Sequence, residues 1–287
     1  YTLSLHDALP IWRLAPEDAY DLVLVLLPRN SVGEVLPVLA ANQNSPSVMF
    51  FGNNAGGFEE MIEALGRERV LLGFPGAAAV PHDEYIRYII LDPREQPTTI
   101  GELDGSDSKR IKSFATTLQA AGFPCSICPN MDAWLKTHVA EISPTANALY
   151  MAGLDIDELK RNRKALVLMS RAIREGHRVL SALGIPITPS SHKIFRWIPE
   201  FLFVAIARRK LADEAWSIKI GHAMAARNEM RTIADEFREL ARRSGVATPA
   251  IDQLRSYLDA TNPSADSHRD SRIKADYELT HKVESAR

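Results

Sequence analysis

Two ionisable side chains lie on helical stripes whose composition leaves room for a ligand. Lys136 is followed at helical spacing by Ala140, Ser143 and Asn147, a small and polar face. Glu229 shares its stripe mainly with alanines. An ammonium group can donate a proton to a substrate, and a carboxylate can hold a hydroxyl group by hydrogen bonding. Both residues are therefore candidates for acid–base catalysis. Helix pattern alone, however, favours a solvated lysine and a solvent-facing glutamate without a catalytic role.

A third candidate is the turn that begins at Asn53. The apolar run 47–51 precedes it, and Asn54-Ala-Gly-Gly57 follows it before a helical segment. Glycines let the backbone approach a ligand closely, and the following helix start favours a negatively charged group. The alternative is an Asn-rich turn without a ligand, which is what such sequences usually form.

The elements before these residues are typical of an α/β sheet. Residues 21–27 form a continuous apolar run, which predicts a central parallel strand covered on both faces. A helix over 32–39 and a strand over 47–51 follow, then a helix over 57–65 and a strand over 70–73. Residues 85–91 and 98–103 are rich in strand-forming residues, and a helix over 109–121 ends at Gly122. This alternation predicts a doubly wound sheet with right-handed crossovers.

After residue 129 the pattern becomes almost entirely helical. Helices are predicted over 131–150, 159–183, 199–211, 221–244 and 251–258. We therefore predict an α/β domain over 12–129 and a helical domain over 130–260. Residues 261–287 balance acidic and basic side chains with few apolar ones, so we expect a disordered tail.

Composition excludes several classes of protein. Of 287 residues, 46% are hydrophobic and 24% are charged, with a net charge of −2. This charge gives no electrostatic argument for nucleic acid or an anionic membrane surface. The apolar run 201–207 is far shorter than the roughly 20 residues that span a bilayer. Cys125 and Cys128 alone make a poor zinc site, so we predict no metal and a reducing, cytoplasmic setting.

Taken in order, these features resemble the ketopantoate reductase family, a branch of the 6-phosphogluconate dehydrogenase-like oxidoreductases. Asn53-Asn-Ala-Gly-Gly57 resembles the family's AsnGlyxGly segment, and Trp134-Leu-Lys136 resembles the segment that carries its catalytic lysine. Glu229 lies twenty positions before Pro249, as the family's second catalytic residue does before the proline of a similar Gly-Val-x-x-Pro segment. The resemblance covers residues 21–258.

The resemblance implies a fold and a reaction. The fold would be a truncated Rossmann-like domain followed by a helical domain like the C-terminal domain of 6-phosphogluconate dehydrogenase. The reaction would be hydride transfer from NADPH to a small 2-oxo acid, either ketopantoate or a related substrate. Lys136 would be the proton donor. Glu229 would hold the substrate hydroxyl or hydrogen-bond with Lys136.

The resemblance also implies binding residues. Asn53 would lie where nicotinamide and substrate meet, with Asn54 and Gly56 beside the cofactor. Ser217 coincides with the serine that binds the substrate carboxylate. Arg29 would replace the lysine that the family often places directly after the strand at 21–27, because Pro28 stands at that position here.

Departures from the family leave the substrate open. The asparagines that follow the family's catalytic lysine have no clear counterpart, and His138 and Ser143 stand in that neighbourhood as candidates for substrate contact. The alternatives are a related opine or 3-hydroxy acid dehydrogenase and a non-catalytic binding or regulatory protein derived from the family. The apolar segment 194–207 is explained equally well by core packing and by a homodimer interface.

The N-terminal residues 1–11 resemble the conceptual translation of a sequencing adapter, so we expect this segment to be non-native. The sequence contains no Gly-x-Gly-x-x-Gly turn, with which the family approaches the cofactor pyrophosphate. We therefore expect that the first βαβ unit is lacking and that the fragment as given is inactive.

Overall fold

The computed structural model describes residues 14–81, 86–213, 216, 218–220 and 226–260. The adapter-like segment 1–11 and the expected tail 261–287 lie outside the described residues. The strands are β1 (Val23–Val25), β2 (Val48–Phe51), β3 (Val70–Phe74), β4 (Ala77–Pro81), β5 (Ile86–Ile90), β6 (Thr98–Glu102) and β7 (Cys125–Ile127). The helices are α1 (Val32–Ala41), α2 (Glu59–Leu65), α3 (Lys109–Ala120), α4 (Met131–Met151), α5 (Ile156–Arg161), α6 (Arg163–Ala182), α7 (Glu200–Leu211), α8 (Arg227–Ser244) and α9 (Pro249–Ala260).

A five-stranded sheet in the order β1-β2-β3-β6-β7 forms the centre of the N-terminal region. Its pairs are parallel except for β3 with β6, so the sheet is mixed. The hairpin of β4 and β5 lies between these two strands in the sequence. The predicted Rossmann-like architecture is confirmed, with this one antiparallel pairing in addition.

Strand β2 shows why its sequence is apolar at every position. Val48 and Phe50 face one side of the sheet and pack with α1, α2 and the start of α4. Met49 and Phe51 face the other side and pack with α3. A strand covered on both faces has no position for a polar side chain, so the run is continuous.

The prediction that residues 21–27 form a central strand was wrong. Within the described part of the chain, β1 lies at the edge of the sheet and pairs only with β2. Leu24 and Leu26 are 41% and 62% exposed. An apolar run reports burial on two faces, but it carries no information on how many neighbouring strands are present.

The C-terminal region is helical, as predicted, and α6 packs against α4, α7 and α9. The helix predicted over 159–183 is interrupted at Asn162, whose Oδ1 accepts a hydrogen bond of 3.1 Å from the Ala165 amide. This cap begins α6, so the segment forms two helices instead of one. Helix α4 begins at the cap Asn130 and packs its first turns, including Trp134 and Leu135, on the sheet.

No helix in the described ranges is long and apolar enough to span a membrane. Those same ranges contain no cluster of His, Cys, Asp and Glu arranged to hold a metal ion. Cys125 and Cys128 are not bonded to each other, and burial raises the pKa of Cys125 to about 11. Such a thiol is a poor nucleophile, which fits a packing role.

Candidate active site

Glu229 lies buried in the first turn of α8, where that helix meets the end of strand β2. Its Oε1 accepts hydrogen bonds of 3.1 Å from Asn53 Nδ2 and 3.3 Å from the Arg29 backbone amide. Glu229 is 3% exposed and Asn53 is 7% exposed. The Oδ1 atom of Asn53 is buried and has no hydrogen-bond partner among the described residues. A ligand N–H or O–H would satisfy this acceptor.

Arg29 lies in the segment that follows β1 and connects the sheet to α8. One terminal guanidinium nitrogen lies 2.6 Å from Glu60 Oε1, and Nε lies 2.7 Å from Glu236 Oε1. The side chain of Arg29 is only 13% exposed. Three of the predicted site residues, Arg29, Asn53 and Glu229, are therefore in direct contact at the carboxyl ends of two adjacent parallel strands.

The turn after Asn53 is held by its own side chains. Asn54 Oδ1 accepts from the Gly57 amide at 2.9 Å, and Asn54 Nδ2 donates to the Gly57 carbonyl at 2.8 Å. Asn54 is thus engaged within the turn, and its contact with a cofactor remains a prediction. The amide of Gly56 points outward from the turn and donates to Glu236 Oε2 at 3.0 Å.

Lys136 projects from the second turn of α4 and forms an ion pair within its own helix. Its Nζ lies 2.6 Å from each carboxylate oxygen of Asp132, one turn earlier. The lysine side chain is 13% exposed, whereas that of Asp132 is 43% exposed. Asp132 is thus the partner of Lys136 in this arrangement, and the alternative in which Glu229 hydrogen-bonds with Lys136 stays a prediction. Helices α4 and α8 nevertheless pack against each other through Val139 and Met230.

His138 packs between aromatic rings. Its ring stacks on Trp134 with centroids 5.3 Å apart and lies 4.2 Å from the Phe74 ring centroid. Burial, followed by the nearby positive charge of Lys219, lowers the pKa of His138 to about 3. The imidazole is therefore neutral at neutral pH, and its contact with substrate remains a prediction.

Ser143, one of the two predicted substrate-binding serines, is not part of this cluster. Ser143 is buried at the edge of a small cavity between α4, α8 and α9, beside Asn147, Phe237 and Leu254. Every residue lining this cavity belongs to the helical region. Ser217 lies outside the described residues, so its predicted role stays a prediction.

Glu236 is a member of the cluster that sequence reasoning missed. Its carboxylate contacts Arg29 and also accepts from the Ala55 amide at 2.9 Å and the Gly56 amide at 3.0 Å. Glu236 follows Glu229 by seven residues, which is two helical turns, so the two carboxylates share one face of α8. This seven-residue spacing could have suggested Glu236 from the sequence. A helix rich in charged residues, however, contains many pairs of side chains at such a spacing.

The fold and this cluster together define a class of structure: a Rossmann-like sheet whose strand ends are closed by a helical domain. The carboxyl ends of parallel strands are where open α/β sheets bind their ligands. No known protein-family profile matches the sequence. No curated protein matches it either.

Solved structures with the same fold are ketopantoate reductases and a mandelate dehydrogenase. The 2-dehydropantoate 2-reductase from Geobacter metallireducens superposes with a TM-score of 0.64 at 16% identity, over 86% of this chain and 80% of that one. D-mandelate dehydrogenase in complex with NADH gives a TM-score of 0.64 at 14% identity, over 84% and 78%. A dimeric ketopantoate reductase from Staphylococcus aureus gives 0.54 at 13% identity, over 85% and 77%. The chain has the ketopantoate reductase fold, as the resemblance predicted.

Proposed function

We propose that this chain is part of a nicotinamide-dependent reductase that converts a small 2-oxo acid to the corresponding 2-hydroxy acid. The contact between Asn53 and Glu229 carries the proposal. It joins an amide at the carboxyl end of a parallel strand to a buried carboxylate of the helical domain. A substrate held there would meet hydrogen-bonding groups from both domains.

The residues around Asn53 fit the nicotinamide end of such a cofactor. Asn53 Oδ1 is a buried acceptor without a partner among the described residues, and a carboxamide N–H is the type of donor that it lacks. Arg29, Asn54 and Gly56 would lie beside the cofactor. The cofactor supplies the hydride when it is bound. We propose NADPH, and a comparison with NADH tests that choice.

Lys136 is the proposed proton donor to the oxygen of the reduced ketone. Negative charge develops on that oxygen during hydride transfer, and an ammonium group both stabilises the charge and supplies the proton. The low exposure of Lys136 supports this role, because a partly desolvated ammonium interacts strongly with a developing oxyanion. Glu229 would hold the hydroxyl group of the product. Ser217, His138 and Ser143 remain proposed substrate contacts.

The test is nicotinamide oxidation by the protein extended with the βαβ unit that is expected upstream, measured against a panel of 2-oxo acids that includes ketopantoate, phenylglyoxylate and pyruvate. Lys136→Met is expected to lower kcat by roughly 100-fold to 10,000-fold, the usual range for loss of a general acid. Lys160→Met is a matched control, because Lys160 forms a similar short-range pair with Asp157 on α5. Product analysis separates simple reduction from opine-type condensation.

Two results would contradict the proposal. Equal, measurable kcat in the Lys136→Met and wild-type forms of the extended protein would exclude Lys136 as the proton donor. Nicotinamide binding without oxidation by any member of the panel would favour the non-catalytic alternative.

We also propose a cytoplasmic homodimer whose interface includes the apolar segment 194–207. Ile194, Trp197 and Phe201 are 57%, 75% and 71% exposed, an unusual concentration of large apolar side chains on one surface. Sedimentation of the wild-type chain and of a Trp197→Glu, Phe201→Glu variant tests this proposal. A monomeric wild-type chain would exclude the interface.

A further inference from the structure

The Glu236 carboxylate lies in a pocket made by the sheet domain. Its Oε2 accepts hydrogen bonds from the successive amides of Ala55 and Gly56 at 2.9 and 3.0 Å, and its Oε1 lies 2.7 Å from Arg29 Nε. The side chains of Glu236 and Arg29 are 14% and 13% exposed. The carboxylate is thus bound as a ligand would be, although it belongs to the protein.

The pocket has the features of a general oxyanion site. Two successive backbone N–H groups that converge on one oxygen bind carboxylates and phosphates alike, and the positive charge of a nearby arginine adds an electrostatic attraction. A Cβ at Gly56 would lie 2.8 Å from Glu236 Cδ, so a larger residue at this position would force the glutamate side chain to shift. Nothing in this geometry is specific for a glutamate side chain.

The unsatisfied Asn53 Oδ1 lies in the same segment, two residues before Ala55. Asn53 is more than nine-tenths buried, and this acceptor has no partner in the described part of the chain. An anionic ligand that also carries an N–H or O–H donor would satisfy both features at once. This observation is independent of Glu236, and it shows that the segment before the pocket also has an unsatisfied hydrogen-bonding group.

Electrostatics oppose the entry of such a ligand while Glu236 is in place. Arg29 is the cation of the cluster and is already shared by Glu60 and Glu236, while its backbone amide donates to Glu229. A second anion would therefore meet three carboxylates and an occupied guanidinium. Removal of the Glu236 charge would free two amides and leave Arg29 with one carboxylate partner.

We propose that the Ala55 and Gly56 amides and the Arg29 guanidinium form a binding pocket for one anionic group of a ligand, and that Glu236 competes with the ligand for this pocket. The proposal deepens the proposed function, on which it rests for the identity of the ligand. The anionic group is either the carboxylate of the substrate or a phosphate of the cofactor. In either case Glu236 lowers the affinity of the resting protein for its ligand.

The test measures binding of two probes, oxalate and inorganic pyrophosphate, to the full chain by calorimetry at fixed ionic strength. Glu236→Ala is expected to bind at least one probe about tenfold more tightly than the wild-type chain. Glu236→Gln should give an intermediate affinity, because it removes the charge and keeps an acceptor oxygen. Glu239→Ala is the matched control, since Glu239 is an exposed glutamate of α8 that pairs with Arg242. Its affinity should equal that of the wild-type chain.

The two probes distinguish the source of the anion. Tighter binding of oxalate alone assigns the pocket to a carboxylate, and tighter binding of pyrophosphate alone assigns it to a phosphate. Arg29→Gln in the Glu236→Ala background should remove the gain in both cases. If that double variant keeps the gain, the probes bind elsewhere and the proposal is wrong.

Unchanged affinity in Glu236→Ala and Glu236→Gln would show that Glu236 only connects the two domains, and it would overturn the proposal. Urea unfolding of each variant confirms that the proteins compared are folded, and Glu236→Gln preserves the test if the alanine variant does not fold. No turnover is measured. The binding result would therefore stand even if Lys136 were not the proton donor. Likewise, a failure of the binding proposal would leave the role of Lys136 unaffected.

Discussion

The side-chain amide of Asn53 donates a hydrogen bond of 3.1 Å to the carboxylate of Glu229, across 176 positions of sequence. This contact joins the end of β2 to the first turn of α8, and both side chains are buried. A buried carboxylate depends on its hydrogen-bond donors, because water no longer solvates it. The bond therefore links the sheet to the helical region, and it is also a feature of the candidate site.

Replacement of Asn53 should destabilise the protein through Glu229. Asn53→Ala removes one donor to a buried carboxylate, so we expect the free energy of unfolding to fall by about 1–3 kcal/mol. Asn44→Ala is the control, because Asn44 is exposed and donates to the Pro16 carbonyl at 3.2 Å. Urea unfolding followed by tryptophan fluorescence measures both. Equal stability of the two variants would contradict an important role for the bond.

His138 should make stability depend on pH in the mildly acidic range. Burial and the charge of Lys219 lower its pKa to about 3; Glu141 partly offsets this shift, and His192 adds to it. An unfolded chain takes up this proton near pH 6.5. As the pH falls below 6.5 the unfolded chain binds a proton that the folded chain does not, so the folded state loses stability. The slope approaches about 1.4 kcal/mol per pH unit, the value for one proton.

The His138→Phe variant separates this effect from the others. Phenylalanine keeps an aromatic ring beside Phe74 and Trp134 but cannot take a proton, so the variant should lose stability less steeply between pH 6.5 and 5. The pKa of Glu141 is also lowered, by hydrogen bonds from His177 and His192 that outweigh burial. Its contribution is lost only below about pH 4.5, outside that window. Phe74→Leu should keep the steep slope at a lower overall stability, and identical slopes for all three proteins would exclude His138 as the source.

The pair of Lys136 with Asp132 should matter more for activity than for stability. An i,i+4 pair with a 43% exposed partner contributes about 0.5 kcal/mol or less. If Lys136 donates the proton, Asp132 positions its Nζ, and Asp132→Asn should lower kcat about tenfold with little change in KM. Asp157→Asn, which removes the partner of Lys160, should change neither quantity. A change in KM alone would assign Asp132 to substrate binding instead.

The elements of the fold were largely predictable from sequence because they depend on local periodicity. The helix predicted over 131–150 is Met131–Met151, and the strand predicted over 98–103 is Thr98–Glu102. Strand direction and order were not predictable in the same way. The antiparallel pairing of β3 with β6 and the edge position of β1 depend on contacts between distant segments.

The candidate site was likewise predictable only in part, because some of its contacts join distant segments of the chain. Asn53 was identified from a segment that resembles a family motif and Glu229 from its spacing to Pro249, and the structure brings the two side chains into contact. The partner of Lys136 could have been predicted too, since Asp132 stands one helical turn before it. Glu236 could not, because its importance comes from the approach of Ala55 and Gly56, which lie about 180 positions earlier in the chain.

The start of the last helix depends on a buried glutamate of another helix. Glu175 of α6 accepts hydrogen bonds from the Ala250 amide at 3.0 Å and from the Ile251 amide at 2.9 Å, and it is 5% exposed. These amides belong to the first turn of α9, where N–H groups lack partners within the helix and a negative charge is favourable.

Glu175→Ala should therefore lower the free energy of unfolding by about 3 kcal/mol, since two buried donors lose a charged acceptor. Glu175→Gln should cost about 1 kcal/mol, because the amide oxygen still accepts a hydrogen bond. Glu158→Ala is a suitable control, as Glu158 is exposed and pairs only loosely with Arg161 at 3.5 Å. Hydrogen exchange of the α9 amides provides a second measurement. Faster exchange in α9 than in α4 of the Glu175→Ala protein would show that Glu175 acts through this helix, whereas uniform exchange would assign the loss to the core as a whole.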